Sequence, residues 1–316
     1  MSAKSIVAAA AALFLAFSTG AVVDAQQKQG VPTIKVDVDV VLITATVTDL
    51  EGRYVTGLGK EHFQIWEDKV EQTIEHFSSE DVPISVGMVF DISGSMKDKI
   101  STARDAAATF LKAGNPDDEY FLVEFNDRAQ VAEDFTADAG KLQAHLIFTP
   151  ARGQTALLDA VYLALNKLKE ASNPRKALLL ITDGEDNHSR YSFSNVREFV
   201  KESDVQIFGI GIVDEWSTRQ RMGGGLGPML IEDLANISGG QAFFPGSVDE
   251  LEDICLKIGV ELKNQYVLGY VSANESKDGK WRKIRAKVNP PKGVPPLTVR
   301  AKTGYYAPSS QNFQTQ

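Results

Sequence analysis

Ile84-Ser85-Val86-Gly87-Met88-Val89-Phe90 runs without a charged residue into Asp91-Ile92-Ser93-Gly94-Ser95. A strand wetted on one face alternates apolar and polar residues. An unbroken apolar run ending in a turn marks a strand covered on both faces, the kind found in parallel sheets. Further along, the same grammar repeats. Helical spacing covers Lys99 to Leu111, and strands follow at Tyr120 to Phe125 and Val131 to Phe135. Helices are predicted over Ala139 to Ile147 and Ala156 to Leu168, a strand over Ala177 to Thr182 and a helix over Phe193 to Glu202. Gln206 to Ile212 and Ala242 to Phe244 read as strands; Leu230 to Ile237 and Asp249 to Leu262 read as helices. Buried strands alternating with helices predict a doubly wound α/β domain over residues 83–262 with a mostly parallel sheet.

Upstream, at residues 26–82, the pattern is of β type. Ile34, Val36, Val38 and Val40 alternate with Lys35, Asp37 and Asp39, and the apolar phase then slips to Val41, Ile43, Ala45 and Val47. Such a slip predicts a bulge or a change of sheet. Phe63 to Trp66 and Val70 to Phe77 read as two strands around Glu67-Asp68-Lys69. Downstream, at residues 263–307, strands return at Tyr266 to Val271, at Ile284, Ala286 and Val288, and at Leu297, Val299 and Ala301. The two β segments are each too small for a good core. Together they predict one split β-sandwich with the α/β domain inserted between its halves. Residues 308–316 read as a polar tail.

The first 25 residues have the pattern of a signal peptide. Lys4 precedes an Ala-rich apolar run from Ile6 to Phe17, and Val23-Asp24-Ala25 offers small side chains for cleavage. The run is shorter than the ~20 residues a membrane span needs. The expectation is an exported protein, periplasmic or secreted, with no transmembrane segment after cleavage. Cys255 is the only cysteine, so no intrachain disulfide can form, which fits a bacterial export route. Its neighbours Leu251, Ile254 and Ile258 make it a core thiol. The formal charge is -9, which argues against nucleic acid as a partner. The basic excess lies in the last segment, near +8 from Lys263 onward. There Lys280, Arg282, Lys283, Arg285 and Lys287 flank an apolar alternation and read as a solvated strand edge.

In an open α/β sheet, ligands bind beyond the carboxyl ends of the strands, where the strand order reverses. Asp91, Ser93 and Ser95 follow such an end, Asp183 closes another, and Gly153-Gln154-Thr155 opens a helix. These turns can converge on one crevice. Two carboxylates and three hydroxyls, with no His or Cys among them, are hard oxygen donors suited to Mg²⁺, Mn²⁺ or Ca²⁺ rather than zinc or copper. Neutral hydroxyls leave the ion electrophilic, so a partner's carboxylate can fill an open position. A lone Asp-x-Ser-x-Ser could instead cap the helix that follows.

Asp91-x-Ser93-x-Ser95, Thr155 and Asp183-Gly184 resemble the metal-ion-dependent adhesion site of the von Willebrand factor A family, and the whole layout is similar to bacterial exported proteins related to that family. The resemblance implies a six-stranded sheet, a Mg²⁺ or Mn²⁺ ion and a protein ligand whose carboxylate completes the metal shell. It also implies that Ser93, Ser95 and Thr155 are direct ligands, with Asp91 and Asp183 acting directly or through water. Insertion in a sandwich resembles the integrin β headpiece, where two adjacent Asp residues serve a second ion. Lys99 stands where the second of those carboxylates belongs, so no second ion is expected.

Around the site, Glu185, Asp186 and His188 are candidates for a partner-binding rim. So are Arg219 and Arg221, in a loop to Met229 carrying Gly223, Gly224, Gly225 and Gly227. Enzymatic readings fare worse. Ser93 replaces the second acid of a haloacid-type phosphatase, and no G-x-S-x-G, H-E-x-x-H or G-x-x-x-x-G-K-[ST] motif is present. His188 is the one histidine near the site as a possible base. The expectation is a non-enzymatic adhesion or binding protein; the alternatives are a structural envelope protein with a stabilising metal, or a metal-assisted hydrolase.

Overall fold

The structure, a computed structural model, describes residues 39–183, 186–212 and 226–309, all in one compact unit. It contains an α/β layer and a β-sandwich. In the α/β layer the strands are β5 (Ile84–Asp91), β6 (Glu119–Phe125), β7 (Ala129–Thr136), β8 (Arg175–Thr182), β9 (Val205–Gly211) and β10 (Gln241–Phe243). They form one six-stranded sheet in the order β10-β9-β8-β5-β6-β7. All neighbours are parallel except β7, which returns antiparallel beside β6. Every residue of β5 is buried, as its unbroken apolar run requires. The strand order reverses between β8 and β5, which places a crevice beyond Asp91 and Thr182.

Helices α1 (Ile100–Ala113), α2 (Ala139–Phe148) and α6 (Leu251–Lys263) cover one face of this sheet. Ala103, Phe110, Leu142, Leu251 and Ile258 pack there on Val86, Met88 and Phe90. Cys255 belongs to the same cluster, and its burial pushes the thiol up to about 12, which leaves it inert. Helices α3 (Leu157–Lys167), α4 (Phe193–Glu202) and α5 (Leu226–Ser238) cover the other face through Val161, Leu165, Val200 and Leu234. Helix α5 starts earlier than its apolar spacing predicted, so residues 226–229 of the expected glycine-rich loop are helical.

The sandwich is built from both ends of the chain, as expected. Its first sheet has the order β13-β1-β11-β4, from Thr298–Ala301, Val40–Thr48, Tyr266–Val271 and Ile74–Ser78. The second has the order β14-β12-β2-β3, from Gly304–Tyr306, Trp281–Val288, Phe63–Glu67 and Val70–Gln72. Ile43, Ile65, Tyr266, Leu268 and Ile284 fill the space between. The chain leaves for the α/β layer from β4 and comes back into β11, and these two strands pair side by side, Ser78 opposite Val267.

In four places the sandwich departs from or sharpens the sequence reading. In β1 the second apolar phase faces the core: Val41, Ile43, Ala45 and Val47 are buried while Val40 and Leu42 are exposed, and Ile34, Val36 and Val38 lie outside the described residues. The predicted Val70 to Phe77 strand divides near Thr73, because Val70–Gln72 pairs with β2 while Ile74–Ser78 crosses to the other sheet. Asp68 and Lys69 both have positive φ, 45° and 74°, giving the two-residue hairpin turn that matches strand twist. The basic strand β12 is no edge. It pairs on both sides, its Lys283, Arg285 and Lys287 lie on the exposed face, and Arg282 is buried with Asp278 2.9 Å away.

Candidate functional site

The crevice end of β5 turns sharply at Asp91. Its Oδ1 accepts the backbone N–H of Ser93 at 2.8 Å, which curls the loop back over the strand end. Its Oδ2 accepts the Thr182 hydroxyl at 2.5 Å, tying β5 to β8. The next residues form a short 3-10 turn from Gly94 to Met96, and no hydroxyl caps it. Helix α1 likewise begins without a side-chain cap. The serine hydroxyls are therefore not engaged in capping. Instead Ser93 Oγ and Ser95 Oγ lie 3.0 Å apart, and Ser95 Oγ donates to Asp183 Oδ1 at 2.7 Å.

Thr155 comes in from the loop before α3. Gly94 N–H donates to the carbonyl of Gly153 at 3.0 Å and Arg152 N–H to that of Ile92 at 2.8 Å, which stitches this loop to the first one. Gly153 has φ +89°, and a Cβ there would sit 2.7 Å from the Asp127 carboxylate, so glycine is needed for the turn. Asp127 Oδ1 accepts Gln154 N–H at 2.8 Å. Thr155 is 4% exposed. Its N–H donates to Asn187 Oδ1 at 3.0 Å, and its carbonyl accepts from the backbone of Asn187 and His188 at 3.0 and 3.2 Å.

The structure thus gathers all five residues read from the sequence, Asp91, Ser93, Ser95, Thr155 and Asp183, onto three adjoining loops. The rim residues are treated differently. Asp186 accepts from Leu158 N–H at 3.3 Å and from the Ser189 hydroxyl, so it holds the start of α3. His188 is exposed, with its backbone bound to Thr155. Glu185, Arg219 and Arg221 lie outside the described residues.

Thr182, Asn187 and Lys99 matter to the site in ways the sequence reading did not assign. Lys99 stands out, because its Nζ lies 2.8 Å from Asp183 Oδ2, and the Asp183 side chain is only 1% exposed. The expected absence of a second carboxylate at Lys99 thus becomes an internal ion pair. Among the described residues no three His, Cys, Asp or Glu side chains come together as metal ligands. Any ion here depends on hydroxyls beside two carboxylates. That donor set fits a hard divalent cation with open positions and suits zinc poorly.

Burial pushes the Asp91 carboxyl up to about 6, against the hydrogen bonds from Ser93 and Thr182, and the nearby Asp183 adds to the rise. Since the folded value exceeds the ordinary carboxyl value of 3.8, the metal-free fold binds this proton more tightly than the unfolded chain. The associated stability is fully present below pH 3.8 and lost as pH rises through about 6. Calorimetric melting in EDTA is expected to show wild type losing about 3 kcal/mol relative to Asp91→Asn between those limits, with Mg²⁺ narrowing the gap. Parallel pH profiles for the two proteins would contradict this.

Residues 86–185 match the family model for the von Willebrand factor type A domain. The chain is similar to mouse inter alpha-trypsin inhibitor heavy chain 4, 28% identical over 184 residues, or 51% of this chain and 20% of that protein. It therefore spans about one fifth of that relative's length. Among solved structures it is similar to a von Willebrand factor type A protein from Catenulispora acidiphila. The TM-score is 0.49 at 12% identity, over 88% of this chain and 76% of the other. It is also similar to an aerotolerance-related membrane protein from Bacteroides fragilis, with TM-score 0.46 and 18% identity over 57% and 98% of the respective chains.

Proposed function

We propose that this chain, which carries a von Willebrand factor type A domain, is a non-catalytic binding protein that captures a carboxylate of a protein partner through a divalent ion. Ser93, Ser95 and Thr155 would hold the ion through hydroxyls, with Asp91 and Asp183 supplying the charge. The observation that supports this most directly is the Ser93–Ser95–Asp183 chain of oxygens, 3.0 and 2.7 Å apart, beside the buried Asp91. A Mg²⁺ or Mn²⁺ ion held there would supply a Lewis-acidic position. The protein's own part is to keep the donors preorganised: Thr182 orients Asp91, Asn187 orients Thr155, and Gly153 lets the two loops meet. The signal-like pattern of the first 25 residues supports reading this activity as one outside the cytoplasm, periplasmic or secreted. No helix among the described residues is long and apolar enough to cross a membrane.

One observation favours a second reading. The Lys99–Asp183 pair neutralises a buried carboxylate without a metal, as in a site whose ion only stabilises a structural protein. Capture of partners from envelope extracts separates the two. The binding reading expects a partner retained in Mg²⁺, released by EDTA and not retained by Asp183→Ala. Equal retention in all three cases would defeat it, while a metal-dependent rise in melting temperature alone would favour the structural reading.

A further inference from the structure

The opposite end of the α/β sheet borders a cavity of about 280 Å³. It lies where the sandwich strands β1, β4 and β11 face the amino ends of β5, β8 and β9. From Ile84 to Asp91 is about 23 Å of strand at ~3.3 Å per residue, so this cavity is remote from the metal face. Leu42, Val82, Val205 and Val267 give it apolar walls, while Arg175, Lys176 and Lys302 bring cations to it.

Arg175 is 8% exposed. One terminal nitrogen donates to the Val82 carbonyl at 3.2 Å, the other to the Leu262 carbonyl at 2.5 Å and Gln265 Oε1 at 2.6 Å. These partners are neutral. Its Nε is buried with no hydrogen-bond partner. The guanidinium thus carries its charge to the cavity wall with no carboxylate hydrogen-bonded to it. Asp81 and Asp118 act on this guanidinium only through space. Lys302 pairs with Asp204 at 2.7 Å, the one acid in the lining, whose side chain is 82% exposed. Lys176 makes no ion pair among the described residues, and His76 stands at the wall. The cavity is therefore net cationic, walled by aliphatic side chains and roofed by a buried arginine.

We propose that this junction cavity binds a small organic anion, a carboxylate carrying an apolar body. An inorganic anion would leave the aliphatic walls uncovered, and a neutral apolar molecule would leave the Arg175 and Lys176 charges without a counter-charge. The volume lies just under the ~300–1,000 Å³ range of small-molecule sites, which suits a short-chain or single-ring body. Bound there, the anion would touch both the sandwich and the sheet, so it would staple the two layers together.

Calorimetry on the full chain with octanoate, octylamine and inorganic phosphate tests this. Octanoate is expected to bind saturably and at least tenfold more tightly than either other probe. Arg175→Met would also break the contacts to Val82, Leu262 and Gln265 and so could unfold the junction. The decisive variants are therefore Lys176→Glu, which inverts a lining charge, and Leu42→Trp, which fills space from an exposed position. Each is expected to weaken octanoate at least tenfold with unchanged melting of the unliganded protein. The proposal is overturned if octanoate shows no saturable binding up to about 10 mM, if phosphate binds equally well, or if both variants bind octanoate as wild type does.

Discussion

An Asp91→Ala protein is expected to show no Mg²⁺ or Mn²⁺ binding by calorimetry under conditions where wild type titrates. Asp91 is fully buried, with both oxygens committed, one to the loop that presents Ser93 and Ser95 and one to Thr182. Its removal deletes a charge and releases the loop geometry at once. Loss of an outer partner of a ligand alone costs about 10–100-fold in metal affinity, so a loss of about 100-fold or more is expected. Lys99→Gln should move the other way. Its ammonium, 2.8 Å from Asp183, competes with any divalent ion for the same carboxylate, and tightening of about tenfold is expected as that repulsion goes. Metal affinity unchanged in both variants would place any ion elsewhere.

A Glu261→Ala protein is expected to melt roughly 6–20 °C lower, from a loss of about 3–5 kcal/mol at 2–4 °C per kcal/mol. Glu261 lies on α6 and is 0% exposed. It accepts from the Thr46 hydroxyl of β1 at 2.8 Å and from Tyr54 at 3.1 Å, and it pairs with Arg300 of β13. Arg300 also reaches Gln241 of β10 at 2.7 Å. Alanine would strand a partly buried guanidinium and two donors, and removing one partner of such a pair costs far more than replacing both. Burial and the Glu261 charge hold Tyr54 well above the usual phenol range, so it stays a donor at any workable pH. Glu261→Gln, which keeps acceptors and loses charge, should fall between. Calorimetric melting checks the order; a shift under about 2 °C for Glu261→Ala would show that the junction does not depend on this carboxylate.

The α/β layer was readable because its signal is redundant. Runs such as Ile84 to Phe90 and Ala177 to Thr182 carry no charged residue, and helices of ten or more residues separate them. The sandwich was readable in outline only. Gly304–Tyr306 and Val70–Gln72 are three-residue strands with no period to detect, and the sheet they join is assembled only where β2 meets β12 from the other end of the chain. At the crevice, Asp91, Ser93, Ser95, Thr155 and Asp183 were legible because each follows a strand end or opens a helix at the switch point. Their supporters were not. Thr182 reads as the last residue of a strand, and only the pleat decides that its hydroxyl meets Asp91. Asp186 reads as rim, yet the loop folds back on Thr155 and brings it to α3. Lys99 reads as a missing ligand, and its reach to Asp183 spans 84 positions of sequence.

The pairing of Ser78 with Val267 has an architectural consequence. The chain departs and re-enters through neighbouring antiparallel strands, so a short turn joining β4 to β11 would close them as an ordinary hairpin. Every strand pair of the host sandwich would survive that splice. The α/β layer is in this sense a cassette plugged into a pre-existing socket. Exchange at these two seams would replace the α/β layer and leave every strand pair of the sandwich in place.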